Sequence, residues 1–580
     1  MTRMTTPAER TVKMRIIAAD PSVMRGGQPL TAIVDVPAET LAAGPRGARV
    51  HVVDYDASSR TLYEPADVLA ARWNTQLHVA PKSKVIHGDP AFHASNVYAI
   101  VMRTLARFES ALGRRINWGF GSGGHQLKIA PHAFSDANAF YSRRDEALLF
   151  GHFPDGRRTI FTCLSHDVVV HETSHAILDG LRERYTAPSS PDQAAFHEGF
   201  ADVVALLSVF SLEELVTHLM DVPVDARPGE RSTQLLAKDA TYEALRKSTL
   251  LSVGRELGKE MTPIGRSALR HSLFNVKPAK DALSSRDAAH ERGEVLVAAV
   301  MDAFVRVWAE RLAAYFVDTH ARFMDRRRAA EEGARVADAL LTMVIRALDY
   351  CPPVHVEFGT FLSALVTADA QVRPTDSFGF RRHLETAFNA FGIQHRSLGD
   401  AAEWLRFPSE KVKVDRVRFA SMQHDVDEVF RFAWENRAQL KLHEDAFTRV
   451  ISVRPCMRVS PDDGFHLRET VAEVLQQLTV PARELKRLGV KQPKGMPDDQ
   501  PVELFGGMTL VFDDFGTLRF SIGDSVLGAK NSAVQQRQSE RIESLWVRGH
   551  YRANSSAARR FSAVHRVRSL GAPSLVKETW

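Results

Sequence analysis

Apolar and polar positions alternate with a period of two in the first 85 residues, as in Val12-Lys13-Met14-Arg15-Ile16-Ile17 and Arg49-Val50-His51-Val52-Val53. That period places successive side chains on opposite faces of a strand. Gly26-Gly27-Gln28-Pro29 and Gly44-Pro45 interrupt the pattern where turns are required. From residue 90 the period lengthens. Val97, Ile100, Val101, Leu105 and Phe108 recur at helical spacing over residues 94–113. Two strand-like pieces follow, 126–129 and 139–153, the second with the turn Ser142-Arg143-Arg144-Asp145 inside it. The run Val168-Val169-Val170 then lies in a helix expected over residues 165–185, with Ser165 at its N-cap. After the loop-like Thr186-Ala187-Pro188-Ser189-Ser190, a second helix is expected over 191–210. Ser190 would cap it, Pro191 takes its first position and Gln193 completes a capping box. Ser211 with Glu214 repeats the device.

Residues 232–392 read as mostly helical, with helices over 289–316, 333–350, 358–370 and 380–391, the last stopped by Gly392. Beyond 395 the pattern is mixed: a helix over 425–439, and a hairpin of 508–512 with 517–522 around Asp513-Asp514-Phe515-Gly516. No repeat of solenoid length is present. The pattern predicts an α+β protein in three parts: a β-rich N-terminal domain (1–85), a central domain (86–394) that becomes mostly helical, and a mixed α/β region (395–580) of unassigned role.

Composition narrows this picture. A chain of 580 residues has room for two to four domains, and 44% hydrophobic with 25% charged residues is ordinary for a soluble globular protein. The net charge of +5 comes from 75 basic and 70 acidic residues, an imbalance too small to argue for nucleic acid. Residues 531–580 do lean basic, with nine Lys/Arg against three Glu, which reads as a solvated tail before it reads as a site for an acidic partner. Cys163, Cys351 and Cys456 are far apart and form no C-x-x-C pair, so no disulfide framework is expected. Residues 1–20 lack an apolar signal core, and the apolar stretch 295–309 is broken by Asp302 and Arg306. A cytoplasmic protein with no membrane span is expected; non-classical secretion stays open.

The candidate chemistry is concentrated in His171-Glu172-Thr173-Ser174-His175. On a helix, residues 171 and 175 stand about 40° apart, so two imidazoles can reach one metal ion. Glu172 is placed to address a water on that ion, as in the H-E-x-x-H helix of zinc proteases. A motif this short can recur by chance in a chain with 23 His, so its surroundings matter. A zinc site that performs catalysis needs a third protein ligand and an open position. Glu198 supplies the ligand, 23 residues after His175 and near the start of the second helix. Asp202 follows one turn later, on the same face, where it can accept the spare N–H of a ligating imidazole. Asp179 lies one turn beyond His175. His166 points away from this face and reads as structural.

Two helices carrying H-E-x-x-H-x-x-x-D and E-x-x-x-D resemble the core of thermolysin-like gluzincin metallopeptidases, and Glu198-Gly199-Phe200-Ala201-Asp202 is similar to the Glu-Gly-Trp-Ser-Asp of fungalysins. The resemblance covers residues 85–394. It implies zinc held by His171, His175 and Glu198, Glu172 as general base and Asp202 orienting His171. Asn138-Ala139-Phe140-Tyr141 resembles the family's substrate-binding edge strand, Asp287 to Gly293 the segment whose His (here His290) stabilises the oxyanion, and Ser267 to Arg270 the segment whose Arg holds a substrate carbonyl. Residues 341–393 resemble the family's helical closure. Three departures stand out. The interval from His175 to Glu198 is a few residues longer than in thermolysin, Asp287 lies closer to His290 than the family's orienting acid, and Tyr185, which the resemblance offers as the second oxyanion donor, is offset by one residue from the family's position. The family's acidic calcium clusters have no counterpart, which leaves Ca²⁺ open and unsupported. Its secretion signal and long propeptide are likewise not evident.

The resemblance implies a zinc endopeptidase with a protein or peptide substrate, and leaves residues 395–580 free to bind a regulator or to self-associate. Two other readings compete. A silent, metal-stabilised scaffold need not keep Glu172, and an aminopeptidase usually carries a Gly-rich strand with an acid for the substrate's amino terminus where this chain has Asn138-Ala139-Phe140-Tyr141.

Overall fold

The first alternating segment folds as read: β1 (Thr11–Ile17) pairs antiparallel with β2 (Thr31–Pro37), setting Met14 opposite Val34 and Ile16 opposite Ala32. The structure is a computed structural model in which residues 10–120, 124–156, 158–187, 189–220, 234–247, 276–286, 289–460, 464–528 and 532–551 are described. A short strand β3 (Val50–Val52) runs parallel to β4 (Leu127–Phe134), and β4 runs parallel to β6 (Ala147–Asp155). Strands β5 (Ala139–Ser142) and β7 (Arg158–Phe161) both pair antiparallel with β6, completing a five-stranded mixed sheet. Three residues of strand have no stability of their own. β3 therefore takes its place at the edge of a sheet built by later residues, and Met14, Ile16 and Val50 share one hydrophobic core with Ile129 and Val169. The boundary expected at residue 85 thus cuts through a sheet and a core; it does not separate two domains.

Helix α1 (Pro90–Leu112) packs across this layer. Asp89 caps it by accepting the Ala91 N–H at 3.0 Å, and Gly113 ends it in the left-handed region at φ 68°. A Cβ on Gly113 would also lie 2.1 Å from the Met457 carbonyl oxygen, so only glycine fits there. After residue 161 the chain becomes helical: α2 (His166–Leu181), α3 (Pro191–Phe210), α4 (Ala289–Thr319), α5 (Arg326–Arg346), α6 (Phe358–Val372) and α7 (Phe380–Ala390). The stretch expected as one helix over 333–350 is two elements, because Ala347–Tyr350 tightens into a 3₁₀ turn after α5. The architecture is α+β, and no single helix among the described residues is long and apolar enough to cross a membrane.

The C-terminal region contains α8 (Val426–Glu435) and a four-stranded antiparallel meander: β8 (Phe447–Val459), β9 (His466–Pro481), β10 (Pro501–Asp513) and β11 (Leu518–Asp524), in that spatial order. The hairpin expected at 508–522 is its last pair. A final helix, α9 (Ala533–Val547), closes the region with a Ser532/Gln535 capping box. Val511, Phe520 and Ile522 belong to the main core, while two smaller apolar clusters are the region's own.

Buried charge holds this sheet to the rest. Asp349, after α5, receives Arg114 at 2.5 and 2.6 Å and Arg458 at 2.5 Å. Glu469 accepts from Arg458 and from the Tyr350 hydroxyl at 2.7 and 2.8 Å. Glu473 receives Arg182 at 2.5 Å and Arg454 at 2.6 Å. Burial alone would raise the Asp349 carboxyl, but Arg114 and Arg458 outweigh it and hold that group well below the usual carboxylate range.

A carboxyl depressed in the folded state adds stability that is fully present above its unfolded value, about 3.9, and is lost as pH falls toward its folded value. Asp349→Ala is therefore expected to lose about 3–5 kcal/mol at neutral pH by leaving the buried Arg114 guanidinium without a carboxylate and Arg458 with Glu469 alone. The gap from the parent should narrow below about pH 4. Denaturant unfolding at neutral and acid pH checks both signs; a gap that widens on acidification contradicts the assignment.

Candidate metal centre

Helix α2 is buried on all sides, so each polar residue in it needs a partner. The two residues between the motif's ends turn back on the helix itself: the Thr173 hydroxyl donates to the Val169 carbonyl at 2.6 Å and the Ser174 hydroxyl to that of Val170 at 2.8 Å. Ser165 stands at the N-cap, but its hydroxyl donates to Asp20 at 2.6 Å and caps nothing. His166 is buried with Nε2 3.3 Å from the Ser208 hydroxyl, the structural place expected for it. At the other end Gly180 lets the helix touch residues 117–119, since a Cβ there would sit 1.9 Å from the Asn117 carbonyl oxygen. The helix stops at Leu181, four residues before the end expected.

Helix α3 starts as expected in position and differs in detail. The Ser190 hydroxyl accepts the Gln193 N–H at 3.1 Å. The Gln193 side chain, instead of closing a capping box, ties the preceding loop through the Arg184 and Ala187 carbonyls at 2.9 and 2.6 Å. The second device does not form: Ser211 is the C-cap of α3 and donates to the Ser208 carbonyl. α3 crosses α4 at two glycines, where a Cβ on Gly199 would lie 2.9 Å from the Gly293 carbonyl oxygen. That contact brings the first turn of α4 beside Glu198.

Helices α2 and α3 together form a buried donor cluster. His171 Nε2 is 2.9 Å from His175 Nε2, and the Glu198 carboxylate lies 3.8 Å from the first and 3.7 Å from the second. The three ligand atoms lie within 4.8 Å of one another and could hold a metal ion. His171 Nδ1 is 2.7 Å from Asp202 Oδ1. A carboxylate only accepts, so the His171 proton is on Nδ1 and Nε2 presents a lone pair to the cluster. This is the tautomer a metal ligand needs, and the two nitrogens with one carboxylate suit zinc. His197 was not singled out from sequence; its ring stacks on His175 at 4.6 Å and 12°. Its only signal was its place next to Glu198.

Glu172 meets the edge of the mixed sheet. Its Oε2 accepts the Tyr141 N–H at 3.2 Å. Among the described residues β5 pairs only with β6, so the outer edge of β5 runs past Glu172. Alternation puts Ala139 and Tyr141 on that outer edge. Asn138 is buried, with Oδ1 accepting the Ala139 N–H at 2.9 Å. Asp179, expected beside the ligands, instead clamps this strand to α2. It accepts the Tyr141 hydroxyl at 2.8 Å and Arg143 at 3.2 Å. Burial raises its carboxyl more than those two partners lower it, and burial with Asp179 pushes the Tyr141 phenol up. Tyr185 also departs from expectation. It lies in the turn after α2, buried edge-on against Phe196, and its hydroxyl donates to the Pro352 carbonyl at 2.7 Å. It is committed to packing, and burial pushes its phenol well up. Arg270, Asp287 and the side chain of His290 lie outside the described residues; the backbone of His290 is in the first turn of α4.

Asp202→Ala should weaken metal binding by about 10–100-fold, since it releases the proton position on His171. Competition against a chromogenic chelator measures this, and unchanged affinity would show that Asp202 does not orient the ligand.

No protein-family model and no curated protein matches this chain.

Proposed function

We propose that the protein is a zinc-dependent endopeptidase with a thermolysin-like core, hydrolysing internal peptide bonds of a protein or peptide substrate. The observation that carries the proposal is the convergence of His171 Nε2, His175 Nε2 and Glu198 within 4.8 Å, with Asp202 on His171 Nδ1 and Glu172 on the same helix. The resemblance of Asn138 to Tyr141 and of Glu198 to Asp202 to gluzincin segments supports it. A scaffold would need the three ligands, and Glu172 would serve it only as the acceptor of the Tyr141 N–H; a peptidase uses it as the base as well.

The residues would divide the work as follows. His171, His175 and Glu198 hold the ion, and Asp202 keeps the His171 proton on the far nitrogen. When bound, zinc supplies Lewis acidity, lowering the pKa of a ligated water toward about 7 and polarising the substrate carbonyl. Glu172 takes the proton released as water adds to the scissile carbon and delivers it to the leaving amine nitrogen, so the carboxylate is restored each turnover. The outer edge of β5 would receive an extended substrate as a further strand through the Ala139 carbonyl, with Asn138 holding the Ala139 N–H. By resemblance, His290 would donate to the oxyanion and Arg270 to a substrate carbonyl.

Glu172→Gln should retain metal and lose roughly 10²–10⁴ in cleavage rate on an unfolded protein substrate, with internal cuts in the parent mapped by mass spectrometry. Full activity in that variant refutes the role of Glu172, and stepwise N-terminal trimming by the parent points to an aminopeptidase. His171→Ala should lose the ion that supports cleavage. Tyr185→Phe should keep the parent's turnover and lose about 1–3 kcal/mol of stability, because the Pro352 carbonyl loses its donor; a hundredfold fall in kcat at unchanged stability would restore Tyr185 to the reaction.

A further inference from the structure

A second group of buried ligand-type side chains lies outside the candidate centre. One ring nitrogen each of His93 and His132 and the Cys163 Sγ lie within 4.8 Å of one another, and all three residues are buried. They come from three elements: the first turn of α1, strand β4, and the 3₁₀ turn Thr162–Leu164 that leads into α2.

The proton positions decide what this group can do. His132 Nδ1 is 2.8 Å from Asp54 Oδ2, and the same carboxylate accepts the His132 backbone N–H at 3.1 Å. His93 Nε2 is 2.8 Å from the Ile86 carbonyl oxygen. A carboxylate and a carbonyl only accept, so each imidazole carries its proton on the outer nitrogen. The inner nitrogens, His93 Nδ1 and His132 Nε2, then face each other at 2.7 Å with two lone pairs and no proton between them. Two bare acceptors at that distance repel unless a positive centre lies between them. An added proton would do, at the cost of a buried imidazolium beside a second imidazole, and it would ask nothing of the sulfur. A metal ion takes both lone pairs and a thiolate at once. The outer partners, one carboxylate and one backbone carbonyl, are those that metal-ligating imidazoles usually have.

We propose that His93, His132 and Cys163 form a second metal site for a borderline-to-soft transition-metal ion such as Zn²⁺, with Asp54 and the Ile86 carbonyl orienting its imidazoles. Two imidazoles and one thiolate select such an ion over Mg²⁺ or Ca²⁺, which take oxygen ligands. As the Sγ–metal bond forms, the thiol releases its proton to solvent. The ion would pin α1, β4 and the start of α2 together, eight residues before His171. The inference is independent of the peptidase proposal and survives its failure.

Metal content and a cobalt spectrum test it on the full-length protein. After loading with Zn²⁺ and dialysis, two equivalents are expected, falling to one in His171→Ala and to one in Cys163→Ser. Loading with Co²⁺ should give a near-ultraviolet thiolate-to-cobalt charge-transfer band, because only this second site contains sulfur. The band should persist in His171→Ala and in Cys351→Ser and vanish in Cys163→Ser. If Cys163→Ser does not fold, the second equivalent and the band in His171→Ala still decide the matter. One equivalent with no band means that the two imidazoles share a proton, and overturns the proposal; so does a second equivalent without the band, or a band that survives loss of Cys163.

Discussion

The structure turns on what it takes to bury imidazoles and carboxylates inside a helix that has no solvent face. Almost every residue of α2 is buried, including His166, His171, Glu172, Thr173, Ser174, His175 and Asp179. An unpartnered polar group in such a place costs about 1–3 kcal/mol, and an unpaired charge more. The hydroxyls of the motif are satisfied within the helix, and everything else must be met from outside. Asp202 on α3 answers His171, the Tyr141 N–H on β5 answers Glu172, and Tyr141 with Arg143 answers Asp179. The positions of α3 and of the edge strand follow from these demands as much as from apolar packing. The glycines at 180, 199 and 293 let the backbones come close enough to meet them.

The same accounting joins the C-terminal sheet to the helical lobe. Arg182 follows α2 directly and reaches Glu473 on β9, while Arg454 on β8 donates both to Glu473 and to the Leu181 carbonyl at the helix end. The last turn of α2 is therefore held by the meander. A sheet attached only at its rim would leave that end of the helix free to move. Here it is locked by groups that cannot leave one another without exposing a buried charge. The region of unassigned role is, in mechanical terms, a support for the helix that carries the candidate ligands.

The parts of the fold legible in the sequence are those where chemistry and periodicity agree. β1 and α1 show clean apolar periods, α3 is announced by Ser190 and Pro191 at its start, and His171 and His175 by their i, i+4 spacing. β8 and β9 were not legible as strands, because several of their buried positions carry Arg458, Glu469 and Glu473, where alternation requires apolar residues. Local motifs misled where a tertiary partner outbid a local one. Ser165 faces Asp20 from 145 positions away, and Gln193 is drawn to loop carbonyls. Tyr185 stands close in sequence to the donor position of the resembling family, yet sequence cannot show that the Pro352 carbonyl, 167 positions later, claims its hydroxyl.

The two His-containing clusters also show why one was legible and the other was not. His171 and His175 share one helix, so a regular spacing announces them. His93, His132 and Cys163 sit on a helix, a strand and a 3₁₀ turn and become neighbours only when the mixed sheet closes against α1. Yet both clusters follow one rule. In each, a carboxylate fixes the outer proton of an imidazole, Asp202 for His171 and Asp54 for His132, and turns a lone pair toward another imidazole. A sequence motif can report ligands that are neighbours along the chain. Where they are not, the direction of each proton, read from its acceptor, is the signal that remains, and it needs only the identity of the atom that receives the hydrogen bond.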